Sequence, residues 1–244
     1  MQTRRRILQI DIETAPAMVY AWGLFEQHLG INQVHTPGYI LSFAAKWYKE
    51  RDIVFRSLWG DGRRRMLTDA HDLLTEADAV VHFNGAQFDI PTLNKEFLEE
   101  GFLPPTAYSQ IDLLKTVRKE FKFLSNKLAY LVEHLDLGEK IKTDFDLWTD
   151  VLDGDEDAQL RMRAYNIRDV RLQEKLYTLI LPWITNHPNI SKPVEGLPRA
   201  LQCPACGSGK TVSQGSYYTK SFSVYRRRCS VCNSGFESHR SKIK

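Results

Sequence analysis

Four residues, Asp11-Ile12-Glu13-Thr14, constrain this chain more than any others. They close an apolar run, Ile7-Leu8-Gln9-Ile10, that reads as a short strand. Side chains alternate faces along a strand, so Asp11 and Glu13 point the same way, roughly 7 Å apart at their bases. A core strand avoids acids unless something positive pairs with them. An arginine would serve, and so would a metal. A strand that merely runs out into an acidic turn is the plainer alternative, and Asp-x-Glu alone does not separate the three.

Charge divides the chain in two. Residues 182–244 hold ten Lys or Arg against two acids, Glu195 and Glu237, a local charge of +8. The whole chain carries +3, which leaves −5 for residues 1–181. An acidic body with a basic tail predicts two modules, the second suited to phosphate. All four cysteines lie in that tail. No apolar run approaches the roughly 20 residues that span a bilayer. The apolar segment after the basic start Met1–Arg6 is too short and too acidic for a signal peptide. The expectation is a cytoplasmic protein without a membrane partner, whose cysteines bind metal instead of forming disulfides.

Taken in order, the sequence predicts strands first and helices later. Tyr20, Trp22 and Phe25 are expected in the core, where aromatics chiefly supply buried area, with stacking on a substrate base as their alternative. Tyr39–Tyr48 and Ile53–Trp59 read as a hairpin, and a helix begins at Arg63, its arginine triplet on a solvated face. Ala79–Phe83 reads as a buried strand running into Asn84-Gly85-Ala86-Gln87-Phe88-Asp89 and a helix. Polar residues directly after an apolar strand are where α/β sheets place their sites, although an acid at a helix start also serves as a cap. Asp112 ends another short strand, and a structural role is expected for it. His82 is expected to be a satisfied core residue. The last helix, about Glu156 to Leu181, shows apolar positions Leu160, Ala164, Ile167 and Val170, and Pro182 stops it. It carries Tyr165 and Asp169, four apart and so on one face.

Asp11-Ile12-Glu13-Thr14, then Asn84-x-x-x-Phe88-Asp89, then Tyr165-x-x-x-Asp169 resembles the three motifs of the DEDD (DnaQ-like) 3′–5′ exonuclease superfamily. Order, spacing and context agree across about residues 5–180, and the pattern is most similar to the proofreading domains of family-B DNA polymerases and their phage-encoded relatives. One branch of the superfamily has a histidine five residues before the last aspartate, where this chain has Ala164. The other has a tyrosine four before it, where this chain has Tyr165. The resemblance therefore points to the tyrosine branch. It implies an RNase H-like α/β fold, a mixed sheet flanked by helices. It implies that Asp11, Glu13, Asp89 and Asp169 hold two Mg²⁺ or Mn²⁺ ions. Asn84, Phe88 and Thr14 would then shape the substrate end, with a core position as the alternative for Phe88. Hard cations want carboxylate oxygens, and two of them about 4 Å apart suit phosphodiester hydrolysis. Tyr165 is expected to orient the attacking water, because a phenol pKa near 10 keeps it protonated at neutral pH.

Cys203-Pro204-Ala205-Cys206 and Cys229-Ser230-Val231-Cys232 are two Cys-x-x-Cys knuckles separated by 22 residues. Four thiolates so arranged suit one structural Zn²⁺, and Thr211–Ser213 and Phe222–Arg228 between them read as strands of a zinc ribbon. So short a segment needs the metal to fold. Its aromatics, interleaved with Arg226-Arg227-Arg228, suit nucleic acid, with docking to a DNA polymerase or other replication protein as the alternative. The expected organisation is a nuclease domain at 1–181, a proline-marked linker at 182–200 and the ribbon at 201–244. The expected activity is 3′–5′ hydrolysis of single-stranded DNA ends, in proofreading or DNA degradation. An RNA nuclease of the same fold, or a non-catalytic nucleic-acid-binding adaptor, are the alternatives.

Overall fold

The computed structural model describes residues 6–23, 25, 28–189, 191, 193 and 195–243. Strand β1 (Ile7–Thr14) outruns its apolar half and contains the whole acidic motif. Short strands β2 (Met18–Val19) and β3 (Val34–Thr36) pair with each other as a separate arm. The expected hairpin comes next, as β4 (Ile40–Trp47) and β5 (Ile53–Ser57). Helix α1 (Leu58–Asp61) is one turn capped by the Ser57 hydroxyl, and α2 (Arg63–Glu76) begins after Gly62. Then come β6 (Ala79–His82), α3 (Asp89–Glu99), β7 (Ser109–Asp112), α4 (Leu113–Glu120) and α5 (Leu128–His134). Helices α6 (Asp146–Leu152) and α7 (Glu156–Ile180) complete this half, the latter capped by Asp155. Strands β8 (Thr211–Tyr218), β9 (Phe222–Cys229) and β10 (Gly235–Lys242) end the chain.

Five strands form one mixed sheet in the order β5-β4-β1-β6-β7, with β1, β6 and β7 parallel and β4 antiparallel to both its neighbours. Alternation along β1 explains the layering. Leu8, Ile10 and Ile12 face one core with Met66, Leu67 and Leu74 of α2 and Leu93 and Phe97 of α3. Ile7 faces the opposite core, with Val117 of α4, Leu131 of α5 and Leu172 and Leu176 of α7. The sheet is therefore covered on both sides, the helix-flanked mixed sheet that the sequence motifs imply. Phe43 is fully buried, and its truncation to Ala would cost about 3–5 kcal/mol. No helix among the described residues is long and apolar enough to cross a membrane.

Several local expectations need correction. Tyr20, Trp22 and Phe25 are not core residues: they are 70%, 100% and 85% exposed. They lie on the β2–β3 arm, which stands off sheet faces already filled and closes its hydrogen bonds internally, Tyr20 N–H to the Gln33 carbonyl and Gln33 Nε2 to the Tyr20 carbonyl. Phe88, whose alternative was a core position, is half exposed, which leaves its expected place at the substrate end open to it. The arginine triplet is not merely a solvated face. Arg63 bridges to Glu96, Glu99 and Glu100 and so ties α2 to α3, where the buried Glu96 also accepts the Ile40 N–H. On α7 the inward stripe is Ala158, Met162, Asn166, Asp169, Val170 and Gln173, while Leu160 is exposed. The helix meets the sheet partly through hydrogen bonds: Gln173 Nε2 donates to the carbonyls of Ile10 and Val81. The ribbon has a third strand, β10, that sequence reading leaves out.

Candidate active site

Parallel β1, β6 and β7 end on the same side of the sheet, where open α/β sheets place ligands. A register shift between Glu13 and Thr14 bends the end of β1, a device that re-aims side chains beside a site. Asp11 and Glu13 project there, half-buried, and Asp169 of α7 comes down onto them, 4% exposed. Ligand oxygens of Asp11, Glu13 and Asp169 all lie within 4.8 Å of one another. Asp89, at the first position of α3, stands alongside but outside that triad. Its Oδ1 accepts the Ile12 N–H at 3.2 Å instead of capping its own helix.

The approach of Asp89 depends on Gly85. A Cβ there would meet the His82 ring at 2.6 Å and Asp89 Oδ2 at 3.0 Å. Asn84 takes a φ of +69°, and its N–H is held by Asp112 Oδ1 at 3.1 Å. Asp112 also caps α4 through the N–H groups of Leu114 and Lys115, so its role is structural, as expected. His82 is fully buried. Its Nε2 meets Gln110 at 3.1 Å, while its Nδ1 lies 3.8 Å from Asp112 with no hydrogen bond.

Two site residues carry no signal in the motifs. Asn166 Nδ2 donates to Asp11 Oδ2 at 2.7 Å and fixes the rotamer of that carboxylate. It lies inside Tyr165-x-x-x-Asp169, and a polar residue four positions after the core Met162 was the available clue. Lys140 enters from the loop between α5 and α6. Its ammonium pairs with Asp169 Oδ2 at 2.5 Å and donates to the Tyr165 hydroxyl at 3.0 Å. The loop is pinned from α7, by Arg168 Nε to the Glu139 carbonyl and Lys175 Nζ to the Leu137 carbonyl.

The electrostatics are those of acids crowded out of water. Burial, then Glu13, Asp89 and Asp169, push the Asp11 carboxyl well above its usual range. Burial and Asp169 raise Glu13 to about 8, with Lys140 offsetting part of the rise. Burial raises Asp89 to about 6 against the hydrogen bond from Ile12. Burial also raises Asp169, which Lys140 counters. For Lys140, burial alone would lower the ammonium, but Asp169 and the hydrogen bond to Tyr165 outweigh it and hold it above its ordinary value. Burial and Asp169 raise the Tyr165 phenol, so it stays protonated at neutral pH.

This donor set fits hard divalent cations. Carboxylate oxygens converge, they repel one another without a cation, and Asp169 Oδ1 is buried with no hydrogen-bond partner. A cleft of roughly 540 Å³ opens from Asp11 and Asp169 between Asn84 and α4, and Arg118, Lys127 and Lys140 make its wall cationic. In the tail, the sulfurs of Cys203, Cys206, Cys229 and Cys232 also lie within 4.8 Å of one another. Two of the sulfur pairs, Cys206–Cys229 at 3.4 Å and Cys203–Cys232 at 3.7 Å, approach the edge of about 3.8 Å that a tetrahedron of ~2.3 Å zinc–sulfur bonds requires.

The sequence matches the family model of the RNase H superfamily over residues 10–181. No curated protein matches it. Among solved structures, the chain is similar to the family B DNA polymerase from the hyperthermophilic archaeon Pyrobaculum calidifontis, with a TM-score of 0.54 at 18% identity. The match covers 73% of this chain and 25% of the polymerase, so the chain spans about a quarter of that protein's length.

Proposed function

The chain belongs to the RNase H superfamily, and we propose that it is a metal-dependent 3′–5′ exonuclease of the DEDD tyrosine branch, acting on single-stranded DNA ends. The observation that carries this reading is the convergence of Asp11, Glu13 and Asp169 oxygens beside an unpartnered Asp169 Oδ1, at the mouth of a cationic cleft. The likeness to part of a DNA polymerase favours DNA over RNA and a place in replication, as proofreader or degrader. In this reading residues 1–181 are the nuclease unit, 182–200 connect, and 201–244 are the ribbon stapled by one Zn²⁺.

Asp11, Glu13, Asp89 and Asp169 would hold two Mg²⁺ or Mn²⁺ ions, which when bound supply Lewis acidity for attack on the phosphodiester and for departure of the 3′-oxygen. The chain's own residues do the rest. Asn166 locks Asp11 in one rotamer, and the Ile12 N–H does the same for Asp89. The protonated Tyr165 hydroxyl, oriented by Lys140, holds the attacking water in line. Arg118 and Lys127 draw the phosphates in, and half-exposed Phe88, with Asn84 and Thr14, seats the terminal nucleotide. A time course on a 5′-labelled single-stranded DNA, with Mg²⁺, with Mn²⁺ and without either, tests this. A ladder shortening from the 3′ end, absent in Asp169→Ala, is expected. Equal or faster loss of a matched RNA would overturn the DNA preference, and binding without cleavage under any metal would overturn the enzyme.

A further inference from the structure

Beyond the cleft, a groove of roughly 960 Å³ lies between the segment after α7 and the strands of the ribbon. Five arginines line it: Arg199, Arg226, Arg227, Arg228 and Arg240. Its one lining acid, Glu237, is already engaged by Arg240 and by the Tyr217 hydroxyl. The other four guanidinium groups are held by backbone carbonyls and have no acid partner among the described residues. Arg226 donates to Gln214, Arg227 to Thr211, Arg228 to Asn233 and Arg199 to Ser191. Positioned but uncompensated arginines repel one another and match the geometry of phosphate. Tyr217, which lines the groove and is 37% exposed, lies 5.7 Å from Arg226 and offers a ring on which an unpaired base stacks.

The groove connects to the acid cluster through α4. Arg118 lines the cleft, while Lys115 and Lys119, one turn apart on the same helix, line a smaller hollow of roughly 350 Å³. Thr185 lines that hollow and the arginine groove alike, and Lys119 Nζ donates to its hydroxyl at 2.8 Å. Of the acids there, Glu120 is paired with Lys119, and Asp112 is turned inward, 8% exposed, with Oδ1 held by backbone N–H groups.

We propose that a single nucleic-acid strand runs from the acid cluster over the basic face of α4 into the arginine groove of the ribbon, which grips phosphates upstream of the terminus. The proposal rests on the nuclease reading only for where the 3′ end sits. Binding is read by fluorescence anisotropy of 5′-labelled dT20 and dT4 with Ca²⁺, in a Glu13→Gln background so that cleavage does not intervene. Failure of the chemistry and failure of the groove are then separate results.

Arg226→Ala/Arg228→Ala should weaken dT20 binding about tenfold or more. The slope of log K against log salt should fall by about 1.4, from ~0.7 per single-strand phosphate contact. Affinity for dT4, whose three internucleotide phosphates are taken up at the acid cluster in this arrangement, should move less than twofold. Zinc content is measured on the same samples. Equal losses for both lengths with zinc retained, or no loss for dT20, would overturn the proposal, and the latter is what a groove built for a protein partner would give. If the ribbon variant loses its zinc, Lys115→Ala/Lys119→Ala decides: a length-selective loss supports the path, and its absence refutes it.

Discussion

Replacing Glu13 by Gln should stabilise the metal-free protein at pH 8. The Glu13 carboxyl titrates at about 8 instead of its ordinary 4.5, because it is buried beside Asp169. A folded-state pKa above the unfolded one means that the folded state holds the proton more tightly. The corresponding stability is fully present below the unfolded value and is lost as pH rises through the folded one. At about 1.4 kcal/mol per pH unit, ionising Glu13 withdraws about 4 kcal/mol by pH 8. Solvent reaching the half-buried carboxylate screens roughly half of this, which leaves about 2 kcal/mol. For a chain of this size that is about 4–8 °C in Tm. Glu13→Gln is nearly isosteric and removes the charge. The assay is thermal unfolding of zinc-loaded protein without Mg²⁺ or Mn²⁺, at pH 5 and pH 8. The variant should melt higher than wild type at pH 8, match it at pH 5, and gain little on adding Mn²⁺, which should raise wild type markedly. A variant less stable at pH 8, or one whose advantage persists at pH 5, would refute the reasoning.

Tyr165→Phe should lower kcat by about 10–100-fold while Mn²⁺ still raises Tm as in wild type, since the hydroxyl orients water and the carboxylates hold metal. Lys140→Met strips Asp169 of its counter-charge, and the metal-free protein should lose about 1–3 kcal/mol in denaturant unfolding at pH 8. Gly85→Ala places a methyl group against the His82 ring and Asp89, so kcat should fall more than about tenfold with circular dichroism unchanged. Cys206→Ser should abolish zinc binding, read by metal analysis. It should also lower the melting temperature of the nuclease half, read by near-ultraviolet dichroism, because Cys203 and Cys229 share a core with Leu176 and Leu181.

The fold was legible where pattern and packing coincide. Apolar runs 7–10 and 79–83 have nowhere to go but the middle of a sheet, and the acids that end or succeed them mark the edge where carboxylates gather. It was illegible where hydrophobicity and burial part company. The Tyr20–Phe25 stretch is as aromatic as any core strand, yet nothing local says that both sheet faces are already filled. Strand β10 fails in the opposite sense. Gly-Phe-Glu-Ser-His-Arg-Ser-Lys offers one apolar side chain, and its place in the ribbon is held by the backbone ladder with β9. The inward stripe of α7 escapes an apolar reading because Asn166, Asp169 and Gln173 are buried by what they pair with, which an apolar periodicity cannot register. Asp11 and Glu13 were legible because alternation along one strand puts them on one face, and the four cysteines because two Cys-x-x-Cys pairs recur; Asp89 and Asp169 join them only through the family resemblance. Lys140 was not legible, because its partners lie on another helix and its loop, Gly-Glu-Lys-Ile-Lys-Thr, has the composition of any surface turn.

The union of the cysteine cluster with the end of α7 has a metrical consequence. Cys203, Ala205 and Cys229 pack in the same core as Leu181 and Ile184, and the Ser234 hydroxyl donates to the Leu181 carbonyl. Asp169 and Ile180, the last residue of α7 and the neighbour of Leu181, lie on one helical rod, roughly 16–17 Å apart at 1.5 Å per residue. Helices do not stretch, so the distance from the carboxylate cluster to the ribbon is a constant of the molecule. A strand held at both points is gauged against that rod. Under the proposed activity, digestion should run steadily while the remainder still reaches the ribbon and stall once it does not, leaving a residual oligonucleotide whose length reports the span from Asp169 to the end of α7.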